Sequence, residues 1–350
     1  MVKPLKLGII GAGNISKSHL EAARRTGAAV PVAICDPLLD RANQRQNEYG
    51  IQEVYADYHD MLAKSDIEAV VVCPPNHLHH VVTIDALRAG KHVLCEKPMS
   101  FRADWAQSMV DEAKKSGKIL QVGMVSRYQP TVQWLRRQVA EGSLGWVYFA
   151  RAQYVRRSGI PGWGSWFTRK DMAGGGPLID IGVHRLDLAW YLMGCPKPVS
   201  VFGVTFAALG PSKQGLGTWG TPEWDGYYDV EDFSAALIKF ADGSAISLEA
   251  VWAGYTDPSS ALHLIGNKQG AQLIDDKVKI MTQVDKHDMD TMVSMPKNSL
   301  ESGFSGQMMA FRNAVRGEAP CPAPGEQGLE VTKMLAGIYE SAQKGASVAL

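Results

Sequence analysis

The chain has 350 residues, and its 36 Lys and Arg balance its 36 Asp and Glu, so no net field attracts nucleic acid or an anionic membrane. That length exceeds what one growing hydrophobic core supports and predicts two domains. The five cysteines make no CxxC pair, which is typical of a reducing compartment. No segment approaches the ~18 apolar residues of a membrane span, and the first residues do not form a signal-peptide core. We therefore expect a cytoplasmic protein with a small-molecule partner, and neither nucleic acid nor a membrane as partner.

Residues 1–125 alternate short apolar runs with helix-like stretches. Strands bridged by helical crossovers predict an α/β domain with a parallel, doubly wound sheet. Continuous apolar runs suit strands that helices cover on both faces. The runs are Leu7–Ile10, Val30–Cys35, Ala69–Cys73, His92–Cys95 and Ile119–Val122.

Residues 126–350 follow a different pattern, with apolar runs that succeed one another and few helices between them. The runs are Val147–Val155, Val199–Phe206, Phe233–Phe240 and Ala245–Ala253. They predict an α+β domain with a large, mostly antiparallel sheet. Asp242-Gly243 predicts a tight hairpin turn in which these residues supply the positive φ angles. Both faces of Phe233–Phe240 are apolar, so we expect helices on one face and a second subunit on the other.

The first apolar run ends in Gly11-Ala12-Gly13-Asn14-Ile15-Ser16, directly before a helix-like segment. This is the setting of a dinucleotide fingerprint. Its first glycine permits the tight turn, its second lets the backbone approach a pyrophosphate, and the helix N-terminus offers N–H groups. Ser16 stands where the pattern has a third glycine, which serves helix-to-strand packing. The alternative is a purely structural glycine-rich turn.

The second apolar run ends at Asp36, 23 residues past Gly13 and close to the ~20 at which a carboxylate meets the adenosine ribose hydroxyls. Such a carboxylate repels a 2′-phosphate, so the sequence favours NAD over NADP. Arg41 is the opposing signal, because it could reach that phosphate. Asp36 could also merely cap a helix.

Three histidines and a cysteine lie within Cys73–His80. Zinc sites use such ligands, but a helix start gives the histidines differing azimuths, which suits one ion poorly. We predict no metal, and instead a helix N-terminus beside the nicotinamide.

Lys97 follows the His92–Cys95 run within Glu96-Lys97-Pro98, at the position where open α/β sheets place ligands. Pro98 restricts the backbone of Lys97 to extended conformations, so its side chain leaves a defined platform. The alternative is a solvated surface lysine.

In the second half, the run Gly174–Asp187 is the most informative. Read as the opening of a helix, it places Asp180 and His184 one turn apart with Asp187 on the same face. The opposite, buried stripe comprises Ile179, Val183, Leu186 and Trp190. A carboxylate beside an imidazole can fix the ring and steady its charge, as general-base catalysis requires. A helix-capping Asp with a structural histidine is the alternative.

Two loops complete the pattern. Residues 156–167 carry Arg156, Trp163 and Trp166, and the Gly-, Trp- and Pro-rich stretch Gly210–Tyr228 predicts a long loop. Indole faces can pack on the C–H side of a sugar ring while Arg donates to hydroxyls, which predicts a neutral sugar or glycoside as substrate. Equally, these tryptophans could seal the loop onto the core.

These motifs together resemble the glucose-fructose oxidoreductase and inositol dehydrogenase family, often called Gfo/Idh/MocA. The resemblance spans nearly the whole chain and rests on the glycine-rich turn, Pro75-Asn76 with His79, Glu96-Lys97-Pro98, Arg127, and Asp180-x-Gly182-x-His184-x-x-Asp187. It implies an N-terminal Rossmann domain over 1–125 that binds NAD. It also implies a C-terminal, open-faced sheet over 126–350 that binds substrate and forms a homodimer or homotetramer.

The resemblance implies a catalytic trio that maps onto Lys97, Asp180 and His184. With the motifs above, it places cofactor-binding residues at Gly11, Gly13, Asn14, Ile15, Asp36, Pro74, Asn76, His79, Glu96, Lys97 and Arg127. The substrate-binding residues are Lys97, Arg127, Arg156, Trp163, Trp166, Asp180 and His184. The substrate class is a sugar, a glycoside or a cyclic polyol.

The expected chemistry is hydride transfer between nicotinamide and a secondary hydroxyl or its ketone. His184 accepts the hydroxyl proton, Lys97 hydrogen-bonds the same oxygen, and Asp180 orients the pair. One alternative is an NAD-recycling glycosidase or lyase that oxidises a sugar carbon transiently before elimination. The other is a non-catalytic NAD-binding regulator, against which the presence of all three residues argues.

Overall fold

The structure is a computed structural model that describes residues 3–274, 277–295 and 300–350. The chain divides into two compact units, Met1–Tyr128 with Asn298–Leu329, and Gln129–Lys297 with Glu330–Leu350. The domain boundary drawn between residues 125 and 126 stays a prediction. Among the described residues, no helix is both long and apolar enough to cross a bilayer.

The first unit contains a parallel sheet with the strand order β3-β2-β1-β4-β5-β6. Its strands are β1 (Leu5–Ile10), β2 (Ala29–Cys35), β3 (Glu53–Tyr55), β4 (Ala69–Val72), β5 (His92–Cys95) and β6 (Leu120–Val122). The helices of the same stretch are α1 (Asn14–Thr26), α2 (Leu39–Tyr49), α3 (Tyr58–Lys64), α4 (Asn76–Arg88) and α5 (Ala103–Ser116). The predicted doubly wound sheet is confirmed, and the short β3 is the strand that the apolar runs did not reveal.

The chain reverses its direction of travel across this sheet beside β1. From β1 it proceeds to β2 and β3 on one side, and it then crosses to β4 on the other. The loops after β1 and β4 therefore leave in opposite directions, which opens a crevice at the carboxyl ends of these strands. The glycine-rich turn and the segment after Val72 both lie at this edge.

The second unit contains a nine-stranded sheet in the order β14-β13-β12-β11-β7-β10-β9-β8-β15. In chain order, the remaining elements are α6 (Pro130–Ala140), β7 (Val147–Val155), α7 (Lys170–Ala173), α8 (Val183–Leu192), β8 (Pro198–Phe206), β9 (Phe233–Phe240), β10 (Ala245–Val251), β11 (Leu262–Gly266), β12 (Gly270–Ile274), β13 (Lys277–Val284), β14 (His287–Ser294), α9 (Gly303–Val315), α10 (Gly325–Lys344) and β15 (Val348–Ala349). Adjacent strands are antiparallel except β7 and β10, which pair in parallel. The mostly antiparallel sheet is confirmed.

One face of this sheet is covered and the other is open. α8 packs against β7 and β10, and Ile238 and Phe240 of β9 are buried. On the opposite face Leu237 is 49% exposed, and Phe202 and Phe206 of the neighbouring β8 are 47% and 54% exposed. One apolar face of β9 is therefore buried, and the other is exposed. That a second subunit covers the open face stays a prediction.

The hairpin between β9 and β10 differs from the expected turn. Gly243 has a φ of 86°, but Asp242 does not have a positive φ. Instead, the Asp242 carboxylate accepts the backbone N–H and the hydroxyl of Ser244, at 3.0 and 2.6 Å. The prediction that both residues supply positive φ angles is wrong, because the aspartate stabilises the turn through its side chain and leaves glycine alone in the left-handed region.

The helix α9 belongs to the first unit although it lies far along the chain. It packs against α1, and its Met308 and Phe311 are fully buried in the same core as Ile9 and Leu20. The Rossmann-like core is therefore completed by a segment that follows strand β14 of the second sheet. The apolar pattern of residues 1–125 does not indicate that a later helix packs in the same core.

Candidate cofactor and catalytic sites

The glycine-rich turn lies between β1 and α1. Gly11 has a φ of 96°, and a Cβ on it would lie 2.8 Å from the backbone of Cys73 and Pro74. Only glycine tolerates both the conformation and this close approach. A Cβ on Gly13 would meet no atom within 4 Å, so the space before it is open. The turn has the shape that a pyrophosphate needs.

The helix that follows is prepared for an anion. Asn14 and Ile15 are the first two residues of α1, the preceding Gly13 provides no side-chain cap, and its first turn holds no acidic residue. The N–H groups of a helix N-terminus attract phosphate. Ser16 is fully buried and its hydroxyl donates to the Gly13 carbonyl at 2.7 Å, so the serine is accommodated in the helix-to-strand packing. These residues fit the phosphates of a dinucleotide.

Asp36 closes the same site from the end of β2. Its carboxylate accepts the N–H of Ala12 at 2.8 Å and that of Leu38 at 2.9 Å, and the residue is buried. Each carboxylate oxygen has two lone pairs, so capacity remains for ribose hydroxyls. The alternative of a mere helix cap does not account for the bond to the glycine-rich turn. Arg41, the signal for NADP, is exposed on α2.

Two of the three histidines after β4, His79 and His80, bond different partners. His79 is buried, with Nδ1 2.7 Å from the Pro98 carbonyl oxygen and Nε2 3.0 Å from that of Pro74. Burial lowers the pKa of His79, which favours the neutral ring. His80 bonds the Ser108 hydroxyl at 2.8 Å. Across the described ranges, no group of three or more His, Cys, Asp or Glu side chains is arranged to hold a metal ion.

Lys97 is half-buried at the carboxyl edge of the sheet, and the residue before it is anchored. Glu96 is 6% exposed, its Oε1 lies 2.7 Å from Nε2 of His19, and its Oε2 accepts the backbone N–H of Lys97 at 3.1 Å. Burial alone would raise the pKa of Glu96, but its hydrogen bond with His19 and the neighbouring charge and backbone N–H of Lys97 outweigh burial and hold that pKa below its ordinary value. The sequence pattern did not indicate His19 as a partner of Glu96.

Arg127 follows β6 in a short 3₁₀ turn and is 1% exposed. Its guanidinium donates to the Pro322 carbonyl at 2.9 Å and to the side-chain oxygen of Gln327. These bonds tie the segment around residues 322–327 to the sheet and give Arg127 a structural role within the first unit. Its predicted contacts with cofactor and substrate, like those of Pro74 and Asn76, stay predictions.

In the second unit, Asp180 does not lie in an α-helix. Leu178–Gly182 form a π-helical turn in which the Val183 N–H bonds the Leu178 carbonyl, and α8 starts only afterwards. The predicted helix opening thus has a π-helical first turn, and the placement of Asp180 and His184 one turn apart stays a prediction. The turn is pressed close to β10, since a Cβ on Gly182 would lie 3.0 Å from that of Ala250. Single π-helical turns are frequent at functional sites.

The carboxylate of Asp180 is held by a residue that the sequence did not indicate. Trp252, fully buried just after β10, donates its indole N–H to Asp180 Oδ2 at 3.0 Å. Asp180 and His184 are half-buried, whereas Asp187 is 1% exposed. The predicted stripe of Ile179, Val183, Leu186 and Trp190 is buried as expected. The prediction that Asp187 lies on the same face as Asp180 and His184 stays a prediction.

A second network fixes the start of the π-helical turn. The buried Glu231 carboxylate accepts the N–H groups of Gly176 and Leu178, at 3.0 and 3.2 Å, and the Tyr339 hydroxyl at 2.8 Å. A Cβ on Gly175 would lie 1.9 Å from that hydroxyl, and one on Gly176 equally close to the Glu231 carbonyl oxygen. The glycine run is therefore a packing requirement. Burial raises the pKa of Glu231 above its ordinary value.

The two long loops pack on one another. The two tryptophans predicted to bind substrate, Trp163 and Trp166, differ in burial and in contacts. Trp163 is 7% exposed, and its indole N–H donates to the Gly210 carbonyl at 2.8 Å. It therefore seals one loop onto the other. Trp166 is half-buried and packs on Phe167, with ring centroids 3.7 Å apart. Arg156, also half-buried, lies over the ring of Tyr154 at 4.9 Å.

Models of one protein family match stretches in both units of the chain. Residues 5–124 match the model of the GFO/IDH/MocA oxidoreductase family, NAD-binding Rossmann fold, and residues 132–272 match the GFO/IDH/MocA C-terminal domain. A D-glucoside 3-dehydrogenase of Escherichia coli K12 is 36% identical over 99% of this chain and 98% of its own length. A levoglucosan dehydrogenase of Pseudarthrobacter phenanthrenivorans is 31% identical over 70% of this chain and 67% of its own. An oxidoreductase domain protein of Kribbella flavida shares the fold, with a TM-score of 0.87 at 24% identity over 100% of this chain and 99% of its own.

Proposed function

This chain belongs to the GFO/IDH/MocA family of NAD-binding oxidoreductases, and from that premise we propose that it oxidises the hydroxyl at carbon 3 of a D-glucoside. The support for the substrate is the dehydrogenase of that specificity, which is similar over nearly the full length of both chains. Other secondary hydroxyls of sugars and cyclic polyols are the next substrates to examine.

The first unit would hold the cofactor through the features that fit it. The N-terminus of α1 would meet the pyrophosphate, the open space at Gly13 would admit it, and Asp36 would accept hydrogen bonds from the adenosine ribose. When bound, NAD supplies the hydride acceptor. The negative charge of Asp36 disfavours a 2′-phosphate at the same position, which supports NAD over NADP.

The chain's own side chains would move the proton. His184 accepts the proton of the reacting hydroxyl as general base, and Lys97 donates a hydrogen bond to the same oxygen and stabilises its developing charge. Asp180 stabilises the charge that His184 acquires. One observation carries this assignment. Asp180 lies in the π-helical turn, four residues before His184, and the indole N–H of Trp252 holds its carboxylate in place.

The test is an assay of the purified protein with NAD, followed at the absorbance of NADH. Methyl and aryl glucosides, free sugars and inositols form the panel, and a matched set of 3-deoxy glucosides is the control. We expect NADH to accumulate with the glucosides and not with their 3-deoxy forms. Equal rates with both sets would contradict carbon 3 as the site, and cleavage of the glycosidic bond without net NADH would indicate the NAD-recycling lyase instead.

We also propose that the protein is a cytoplasmic homo-oligomer assembled through the open face of the second sheet. The support is the exposure of Phe202, Phe206 and Leu237 on that face, because contiguous apolar surface marks interaction sites. For the compartment, the support is that Cys35, Cys73 and Cys95 are buried free thiols. Light scattering of wild type and Leu237→Lys tests the assembly, and an unchanged mass in the variant would exclude this face.

A further inference from the structure

A buried histidine and a buried carboxylate form a pair next to the backbone of Lys97. His19 is fully buried and Glu96 is 6% exposed, and His19 Nε2 and Glu96 Oε1 are 2.7 Å apart. The ring of Phe304 meets His19 edge-on with centroids 5.1 Å apart, and a Cβ on Gly123 would lie 3.0 Å from the same Glu96 oxygen. The pair is thus enclosed by an aromatic ring and by backbone.

Stability alone does not account for such a pair. Removing a carboxylate and an imidazole ring from water costs free energy that the hydrogen bond between them offsets only partly, and well-packed apolar residues of similar volume are often as stable or more so. A buried pair of this kind therefore calls for a role other than stabilising the fold. The pair adjoins Lys97, to which we assign a role in the reaction, so it could act by positioning that residue.

The backbone on both sides of Lys97 is fixed by buried groups. Before it, the second oxygen of Glu96 accepts the Lys97 N–H at 3.1 Å. After it, the Pro98 carbonyl oxygen lies 2.7 Å from Nδ1 of His79. His19 comes from α1 and His79 from α4, so one histidine from each helix restrains the chain at Lys97.

We propose that His19 is a positioning residue that acts through Glu96 to fix the backbone from which the Lys97 side chain departs. His19 lies on α1, the helix whose N-terminus would meet the pyrophosphate, so the same rigid element sets both the cofactor phosphates and the lysine. The inference rests on the proposed function, in which Lys97 contacts the reacting oxygen. Misplacing such a group by about 1 Å costs on the order of 100-fold in rate.

The test compares two amides that differ in reach. In His19→Gln the amide nitrogen reaches about as far as Nε2 and keeps the bond to Glu96, whereas in His19→Asn it stops short. A third variant, His19→Leu with Glu96→Leu, replaces the whole pair by apolar groups. We expect a kcat near the wild-type value for His19→Gln and a kcat about 10- to 100-fold lower for the other two, with the Kd for NAD within about threefold of wild type.

A readout independent of activity is the hydrogen exchange of the Lys97 amide, measured by NMR. We expect this amide to be protected in the wild type and in His19→Gln, and to exchange faster in the other two variants. The matched control is His92→Leu, because His92 begins the same strand β5 at the opposite edge and accepts the Ile119 N–H at 3.0 Å. This control should leave both kcat and Lys97 exchange unchanged.

Wild-type exchange at Lys97 in His19→Asn and in the double variant would overturn the proposal. So would an equal loss of kcat in His19→Gln and His19→Asn, because that result would tie activity to the imidazole itself. An inactive wild type would instead contradict the proposed function, and the exchange measurement would still decide whether the pair anchors Lys97. If the double variant does not fold, the two single amides carry the comparison.

Discussion

The candidate residues of the two units are held in place by different means. In the first unit, Gly11, Asp36 and Lys97 each follow a parallel strand, so the backbone of the sheet brings them to one edge. In the second unit, Asp180 lies in a π-helical turn that Trp252, Glu231 and Tyr339 hold through their side chains. A site set by sheet topology can be recognised from local pattern, whereas a site set by distant side chains cannot.

The largest effect is expected at the second region. Replacing His184 with Asn should lower kcat by about 10²- to 10⁴-fold, because the proton acceptor is removed, while the Kd for NAD stays near the wild-type value. Steady-state kinetics together with a titration of NAD binding checks both parts. A kcat within a few-fold of wild type would remove His184 from the role of base, and lost NAD binding would indicate a structural defect instead.

Trp252→Phe probes the side-chain network directly. It removes the indole donor to the Asp180 carboxylate, and a hydrogen bond to a charged group contributes about 1.5–3 kcal/mol, so kcat should fall about tenfold or more. Trp190→Phe is the matched control, since this buried tryptophan of α8 donates to the Pro196 carbonyl at 2.8 Å instead. Equal kcat losses in the two variants would show that core packing, and not the bond to Asp180, sets the rate.

Asp36→Asn tests the region set by sheet topology. The amide keeps an acceptor for the Ala12 or the Leu38 N–H but removes the negative charge. Because charges a few ångströms apart interact by about 1–4 kcal/mol near a protein surface, the ratio of kcat/KM for NAD over NADP should fall about tenfold. Measuring both coenzymes in both proteins checks this. A wild type that prefers NADP would contradict the role given to Asp36.

The smallest effect concerns an ion pair that joins the returning C-terminal segment to the first sheet. Arg316 donates to Glu68 at 2.8 and 3.0 Å, and this bond, against the opposing effect of burial, lowers the pKa of Glu68 to about 2 from its ordinary 4.5. A depressed acid pKa stabilises the fold above the ordinary pKa, and that contribution is lost as pH falls towards 2. Glu68→Gln should therefore show a weaker loss of stability over this range in acid titrations. An identical titration curve would contradict the pair's contribution.

Sequence reasoning succeeded where a residue type and a local pattern determine the structure. The parallel strands, the fit of Gly11 and Asp36 at one edge, and the buried stripe of α8 all follow from apolar periodicity or from a backbone conformation that glycine alone adopts. The open face of β9 was likewise indicated by apolar residues on both of its faces.

The rest depends on contacts between residues far apart in the chain. No local pattern indicates that Trp252 would bond Asp180, 72 residues earlier, or that Tyr339 would reach Glu231, 108 residues earlier. The π-helical turn has no sequence signature that distinguishes it from an α-helix start. His19 resembled any polar residue of an amphipathic helix until its partner Glu96, 77 residues on, was located.

Transfer of hydride from carbon 3 of a glucoside to NAD can be followed with methyl glucoside that carries deuterium at that carbon. We expect NADH that contains one deuterium for each ketone formed, detected by mass spectrometry of the recovered coenzyme. Unlabelled NADH would contradict carbon 3 as the donor. Consumption of the glucoside with no NADH at all would contradict net oxidation.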